Sequence, residues 1–346
     1  MSNANWDSTD LKSIAEGGWI NESVMQEIFD ISRIPLPVTD LVGSGSHGNE
    51  FHEWLTDALN PPSAGGWVVD GADAGNDESQ AGARIGNQSG ILDKVVKVST
   101  RARESDTIGG EALAYQIRQR QRELRQDVEA NALGNQGSTV SDANAGTAGV
   151  PASMPVMMTK FDSGSGGSGG VYSGSVWTGW TPGAKAALTE TMVRDAAQAA
   201  WEDGGMPTHL MSVPSIIRNL SEYMFTSSSR IATLTGETNN NGPATGMGSV
   251  NVFLTDFNVE LRFVPNRLQL PYADSTGVEL DAAAVILLDP DYAEISYLHG
   301  YRVEPLAKTG LADNRQMAVD LTYVVNEPNA HRAIMDIDVA AAVTQA

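Results

Sequence analysis

Residues 109–133, GGEALAYQIRQRQRELRQDVEANAL, form the longest stretch of the chain with a single clear period. Leu113, Ile117, Leu124, Val128 and Ala132 recur every three to four residues, with Arg118, Arg122, Arg125 and Glu129 beside them. The spacing predicts one long helix with a single apolar stripe. Its 25 residues, at about 1.5 Å each, would reach roughly 37 Å. Four acids and four bases leave this segment neutral inside a chain of net charge -21. Glu111 near its start and Arg125 near its end suit the helix dipole. A stripe on one side predicts that the helix lies across a sheet or core and leaves its other side to solvent or to a neighbour.

What it lies on is read from the last third. Phe257, Val259, Leu261 and Phe263 alternate with polar residues, as do Met317, Val319, Leu321 and Tyr323. Val285–Leu288 reads as a fully buried strand and Ile295–Val303 as a less regular one. Between helix and strands, Thr181-Pro182 is read as the start of a helix carrying Leu188, Met192 and Ala196 to about Glu202. Ser212 and Pro214 introduce a second, with Ile216, Ile217, Leu220 and Met224, and a Thr/Gly/Asn loop follows at Thr235–Gly248. The class is α+β, without a regular βαβ array.

The first hundred residues do not read as a compact domain. A short helix is expected at Asn21–Phe29, then an extended Pro35-Leu36-Pro37, then one or two helical turns over Phe51–Leu59 ended by Pro61-Pro62. Trp67-Val68-Val69 and Ile91–Val98 are extended segments flanking an acidic tip. They predict a long two-stranded arm that needs a neighbour for stability. Gly134–Gly183 holds twelve of the 35 glycines and is expected to be loose, in part mobile, around an apolar stretch at Val150–Phe161.

Composition narrows the function. With 43 acids against 22 bases the overall field repels phosphate, which argues against a genome-coating or sequence-reading role. A container wall facing packed nucleic acid would benefit from such a field. There are no cysteines, so disulfides, thiolate chemistry and sulfur-bound zinc are excluded. Met1–Asp10 is polar and acidic and is not read as a signal peptide. The best apolar run, Ala282–Leu288, is strand-sized, so no membrane span is expected.

Several short patterns imitate active sites. Gly43-Ser44-Gly45-Ser46-His47-Gly48 has dinucleotide-loop spacing but no strand–helix context, and is read as a flexible turn. Ser168, centred in Gly166–Gly170, has nucleophile-elbow spacing inside a glycine-serine tract that would produce it by chance. Lys308-Thr309-Gly310 lacks the companion motifs of penicillin-binding enzymes, so its lysine is read as solvent-facing or paired with an acid. His47, His52, His209, His299 and His331 show no metal-ligand spacing. Asp70, Asp73, Asp77 and Glu78 miss calcium-loop spacing and are read as a solvated turn. Arg118, Arg120, Arg122 and Arg125 are interleaved with acids, which favours subunit salt bridges over DNA contact. No catalytic, cofactor-binding or metal residue is assigned, no cofactor is expected, and the chain is not read as an enzyme.

Four groups of residues resemble those of tailed-bacteriophage major capsid proteins with the Hong Kong 97-like fold, in the podovirus-type branch. They are Glu27–Ser32 with Pro35-Leu36-Pro37; His52–Leu59; Arg84, Asn87 and Lys97–Ser99 leading through Gly109 into the long helix; and Leu287–Pro290 with Pro305–Gly310, Asn329 and Ala330. Residues 134–250 carry little of the resemblance.

The resemblance implies an N-terminal arm (1–50), an extended loop reaching over a neighbour (51–98), and a peripheral domain (99–180) with spine helix 109–133 and a flexible Gly/Ser loop. It further implies an axial domain (181–280) and C-terminal strands (281–346) returning to the peripheral domain. The implied function is a subunit of pentamers and hexamers in an icosahedral virion capsid, assembled in the host cytoplasm, enclosing double-stranded DNA without sequence-specific binding. Scaffolding and portal proteins, and a cement or decoration protein, are the implied partners. Some relatives crosslink through lysine and asparagine; no such pair is assigned, and an uncrosslinked shell is expected. An encapsulin-like compartment shell, or an extracellular binding module, is the alternative.

Overall fold

The computed structural model describes residues 35–57, 59, 65, 67–71, 73, 75, 81–105, 111–161, 166–226, 251–275, 280–308 and 310–344. The expected helix Asn21–Phe29, the Glu27–Ser32 motif, Pro61-Pro62, Asp77, Glu78, Thr309 and the Thr235–Gly248 loop lie outside the described residues.

In chain order the elements are α1 Pro37–Leu41, β1 Gly43–Ser46, β2 Phe51–Thr56, β3 Ala83–Gln88, β4 Gly90–Ser99, α2 Thr100–Glu104 and α3 Ala112–Ala132. There follow α4 Met154–Met157, β5 Lys160–Phe161, β6 Val171–Ser173, β7 Val176–Thr178, α5 Glu190–Glu202, β8 His209–Ser212 and α6 Pro214–Thr226. The remaining strands are β9 Val252–Leu254, β10 Glu260–Pro265, β11 Tyr272–Ala273, β12 Leu280–Leu288, β13 Ala293–Pro305, β14 Ala312–Val325 and β15 Arg332–Asp338.

The long helix is α3. Leu113, Leu124, Val128 and Ala132 are buried, and Ile117 packs against the same core. That stripe lies on β4 and β14 of a four-stranded sheet with order β1-β13-β14-β4. The Tyr323 hydroxyl of β14 donates to the Val128 carbonyl at 2.7 Å, fixing the helix along the strand. Burying each Leu or Val of the stripe contributes about 1.5–3 kcal/mol.

A second sheet runs β5-β15-β12-β8-β10-β9, with β11 also paired to β12. Its central strand β12 separates two cores by the two-residue period of a strand. Ala284, Ile286 and Leu288 face the core that holds α3 and β14. Ala283, Val285 and Leu287 face the core of α5, α6, β8 and β10. In β15, Ala333 and Met335 take the first side, Ile334 and Ile337 the second. The C-terminal strands therefore serve both cores, where sequence reading sent them back to one.

Other expectations are corrected. Phe51–Thr56 is a strand, not helical turns: its aromatic and β-branched residues pair antiparallel with β3 from Phe51↔Gln88 to Thr56↔Ala83. An isolated two-turn helix has no comparable set of bonds. The two-stranded ribbon is thus β2–β3, whereas β4 joins the body sheet through ten pairs with β14. Pro37 does not run extended but takes the first position of α1. Thr181-Pro182 does not start a helix. Ser168 and Thr181 exchange backbone hydrogen bonds, and Ala186 bridges Ile337. The helix begins only where the Thr189 hydroxyl accepts from the Met192 N–H at 3.1 Å.

Within the described parts of the glycine-rich span, residues 139–148 are exposed, whereas other stretches are packed. Trp177 and Trp180 are buried, and all four residues of α4 are buried. Gly167 has φ +80, and a Cβ there would sit 2.5 Å from the Thr181 carbonyl oxygen, so the Ser168–Thr181 bridge needs glycine.

Candidate assembly surfaces

The root of the β2–β3 hairpin is held by polar contacts that leave nothing unsatisfied. Asn87, fully buried, donates to the carbonyls of Tyr323 at 2.8 Å and Ala152 at 3.1 Å. Its side-chain oxygen accepts from the N–H groups of Ala152 at 2.8 Å and Gln88 at 2.9 Å. The Trp54 indole donates to the Val325 carbonyl, and the Trp177 indole to that of Gly86. Leu55, on the ladder next to its last pair, is 74% exposed; beyond the ladder Trp67 is 93% exposed, and Val68 and Val69 are also exposed. A single chain gains no burial from them, so their cover has to come from another surface.

The second surface is the outer side of α3. Arg118, Arg122 and Arg125 are exposed there. Arg125 lies 5.5 Å from the centre of the Tyr301 ring, a cation–π contact, and Arg120 pairs with Glu123 one turn on. Lys94 of β4 pairs with Asp127 at 2.7 Å, so it belongs to the body rather than to an arm.

Glu129, read from sequence as a flanking charge, is fully buried. It accepts from the N–H groups of Val38 (2.7 Å) and Thr39 (2.9 Å), the Thr39 hydroxyl (2.8 Å) and the Asn266 amide (2.8 Å). The carboxylate thus caps α1 from a distance and ties it to α3 and to the end of β10. Only a hydrogen-bond-rich destination makes this burial affordable, and sequence periodicity carries no sign of that destination.

The residues of the imitation motifs are dispersed or structural. Gly43–Ser46 is strand β1, parallel to β13, and not a flexible turn. Ser168 sits in its backbone bridge, away from any strand-to-helix elbow. Lys308 pairs with Asp313 at 2.6 Å, and Arg103 reaches the same carboxylate at 2.6 Å. These two cations hold the Asp313 carboxyl below the usual carboxylate range. His331 is buried with Nδ1 accepting from the Asp289 N–H at 3.1 Å, and burial pushes its pKa down to about 4. His47 packs on His52 with ring centroids 5.4 Å apart, and Asp320, which acts on His47, lies 3.9 Å from His299. Among the described residues no His/Cys/Asp/Glu group is arranged to hold a metal ion. A groove of about 240 Å³ beside β4 is lined by Leu92, Val150, Pro151, Leu321 and Tyr323, among others. Its one titratable side chain, Tyr323, is committed to Val128.

The fold is the Hong Kong 97-like capsid fold, a structural shell architecture. The capsid subunit of a gene-transfer-agent particle ("native GTA particle") has a TM-score of 0.58 at 13% identity, covering 94% of this chain and 98% of that one. The encapsulin SrpI of Synechococcus elongatus has a TM-score of 0.52 at 11% identity, covering 97% and 99%. Both likenesses are of fold alone. The family described as SU10 major capsid protein matches residues 4–338, and the chain belongs to that family. It is a viral major capsid protein that self-assembles into an icosahedral shell, structural rather than enzymatic. A segment of 104 residues is 31% identical to the major capsid protein of Escherichia phage Phieco32, spanning 30% of each chain.

Proposed function

We propose that the subunit builds the pentamers and hexamers of a tailed-phage capsid of the podovirus-type branch, around double-stranded DNA. The observation that carries the reading is the firmly anchored hairpin root followed by uncovered Leu55, Trp67, Val68 and Val69. Such a segment reaches over an adjacent subunit, whose α3 offers exposed arginines to its acidic Asp70 and Asp73. On this reading residues 1–50 are the arm, 51–98 the extended loop with its adjoining strand, 99–180 the peripheral domain and 181–280 the axial domain, with the C-terminal strands 281–346 shared between the two cores. The net charge of -21 keeps the wall from adhering to the packed polymer. Scaffolding, portal and decoration proteins are the expected partners, with assembly in the host cytoplasm.

The test is electron microscopy of a loop-deleted subunit. Gly82 lies against the Thr56 carbonyl, so the hairpin closes there after removal of 58–81. An Asn-Gly turn in place of the deleted residues spares Trp54 and Asn87. Folded capsomers that fail to close into shells are the expected result; normal shells would remove the loop assignment. Arg122→Glu with Arg125→Glu should weaken assembly in the same assay, and nuclease-protected DNA inside particles from infected cells separates a virion from an encapsulin-like compartment.

A further inference from the structure

We propose that His47, stacked on His52, forms an acid-released latch that holds β1 on the edge of the body sheet. The inference concerns the folded subunit itself and goes beyond its role in a shell.

Strand β1 is Gly43-Ser44-Gly45-Ser46 and buries no apolar side chain of its own. Its four-residue parallel ladder to β13 is therefore supported by little else along its length. The exception is at its end. The His47 N–H donates to the Tyr297 carbonyl at 3.3 Å, and Nδ1 lies 3.0 Å from the Ser296 hydroxyl. The His47 ring packs on His52 of β2 with centroids 5.4 Å apart, and His52 packs on Trp54 at 5.9 Å. Trp54 is in turn bonded to the body through Val325. A column of three rings thus joins the weakest strand of the sheet to the strongest part of the hairpin root.

The column tolerates a neutral His47 only. His47 Nε2 is buried and makes no hydrogen bond among the described residues. A proton there would create a buried donor without an acceptor, at a cost of about 1–3 kcal/mol. Among the described residues the opposing charges are few. Asp320 of β14 faces the pair, but its carboxylate already accepts from the Ser89 hydroxyl and lies 3.9 Å from His299 Nδ1 of β13. Glu294 of β13 lies under Gly45, where a Cβ would come within 2.9 Å of its Oε1. Glu53 of β2 is paired with Arg84 of β3, and Glu50 belongs to the exposed connection. Burial and the neighbouring His52 both depress His47, and Asp320 only partly opposes them.

The sign follows. The docked arrangement binds fewer protons than the released one, so docking is complete above the ordinary histidine range near pH 6.5 and weakens as the pH falls below it. Release would bare the β13 edge over Glu294–Tyr297 and free residues 43–50. The hairpin root would stay in place, because Asn87 and Trp177 do not titrate in this range.

Hydrogen exchange of the full-length subunit, corrected for intrinsic rates, tests this between about pH 5 and pH 8. Peptides covering 43–50 and 293–298 should lose protection by roughly tenfold or more on acidification, while those in α3 and β12 keep theirs. His47→Phe preserves the ring packing without a titratable nitrogen and should keep 43–50 protected at the acid end. His52→Phe keeps a ring against His47 and should leave the acid response of 43–50 in place. Protection of 43–50 that ignores pH in the unaltered chain would overturn the latch, whether or not either variant folds. So would simultaneous loss in α3 and β12, which marks global unfolding, or an undiminished acid response in His47→Phe.

Discussion

Replacing Glu129 is the sharpest single test of how the elements of this subunit are joined. All four of its partners are donors, so the carboxylate acts purely as an acceptor: Val38 N–H and the Asn266 amide on Oε1, Thr39 N–H and hydroxyl on Oε2. Glu129→Ala leaves the α1 N–H groups and the Asn266 amide unmatched in a buried space. Removing one side of such a charged, buried set costs about 3–5 kcal/mol. Glu129→Gln keeps the shape and one accepting oxygen, which retains Val38 and Asn266. The Thr39 hydroxyl can turn to accept from the new amide, leaving only the Thr39 N–H facing a donor. The loss should then be about 1–3 kcal/mol. Urea unfolding of the unassembled subunit measures both, and hydrogen exchange at Val38 and Thr39 reports the cap locally. Stabilities within about 0.5 kcal/mol of the parent, with those two amides still protected, would refute the idea that this carboxylate fastens α1 to α3.

Asn87→Ala opens four buried hydrogen bonds at the hairpin root and should cost about 2–4 kcal/mol by denaturation; a loss below about 0.5 kcal/mol would show that the root is held otherwise. His331 should make the core acid-sensitive. Its pKa in the fold is about 4 against the ordinary 6.5, so the unfolded chain binds more protons between these values. Its contribution is complete above about pH 6.5 and drains away as the pH falls toward 4, by about 3 kcal/mol in all. His331→Gln should flatten that part of the stability–pH curve, and an unchanged slope would show that another group sets it.

Residues 109–133 determined the main feature of this protein without any tertiary information. Leu113, Leu124, Val128 and Ala132 share one face of a 3.6-residue period, and nothing but a helix lying on a core buries that face. The alternation in β10 was legible for the same reason, since local periodicity reports one-sided burial; the unbroken apolar run Val285–Leu288 reported burial on both faces, and Pro214 marked the start of α6 by its fixed backbone angle. The absence of cysteine and the surplus of acid limited the chemistry equally directly.

Tertiary structure decided what depends on a distant partner. Phe51–Thr56 became a strand because Ala83–Gln88 pairs with it. Thr181-Pro182 lost its helix to backbone pairing with Ser168 and the C-terminal strand. Glu129 was read as a surface charge, since a buried acid looks like an exposed one until four donors from residues about 90 and 137 positions away converge on it. The approach of His47 and His299 to Asp320 follows from sheet order, not spacing. Sequence records which residues seek burial along an element; only the folded chain brings together the groups that satisfy them.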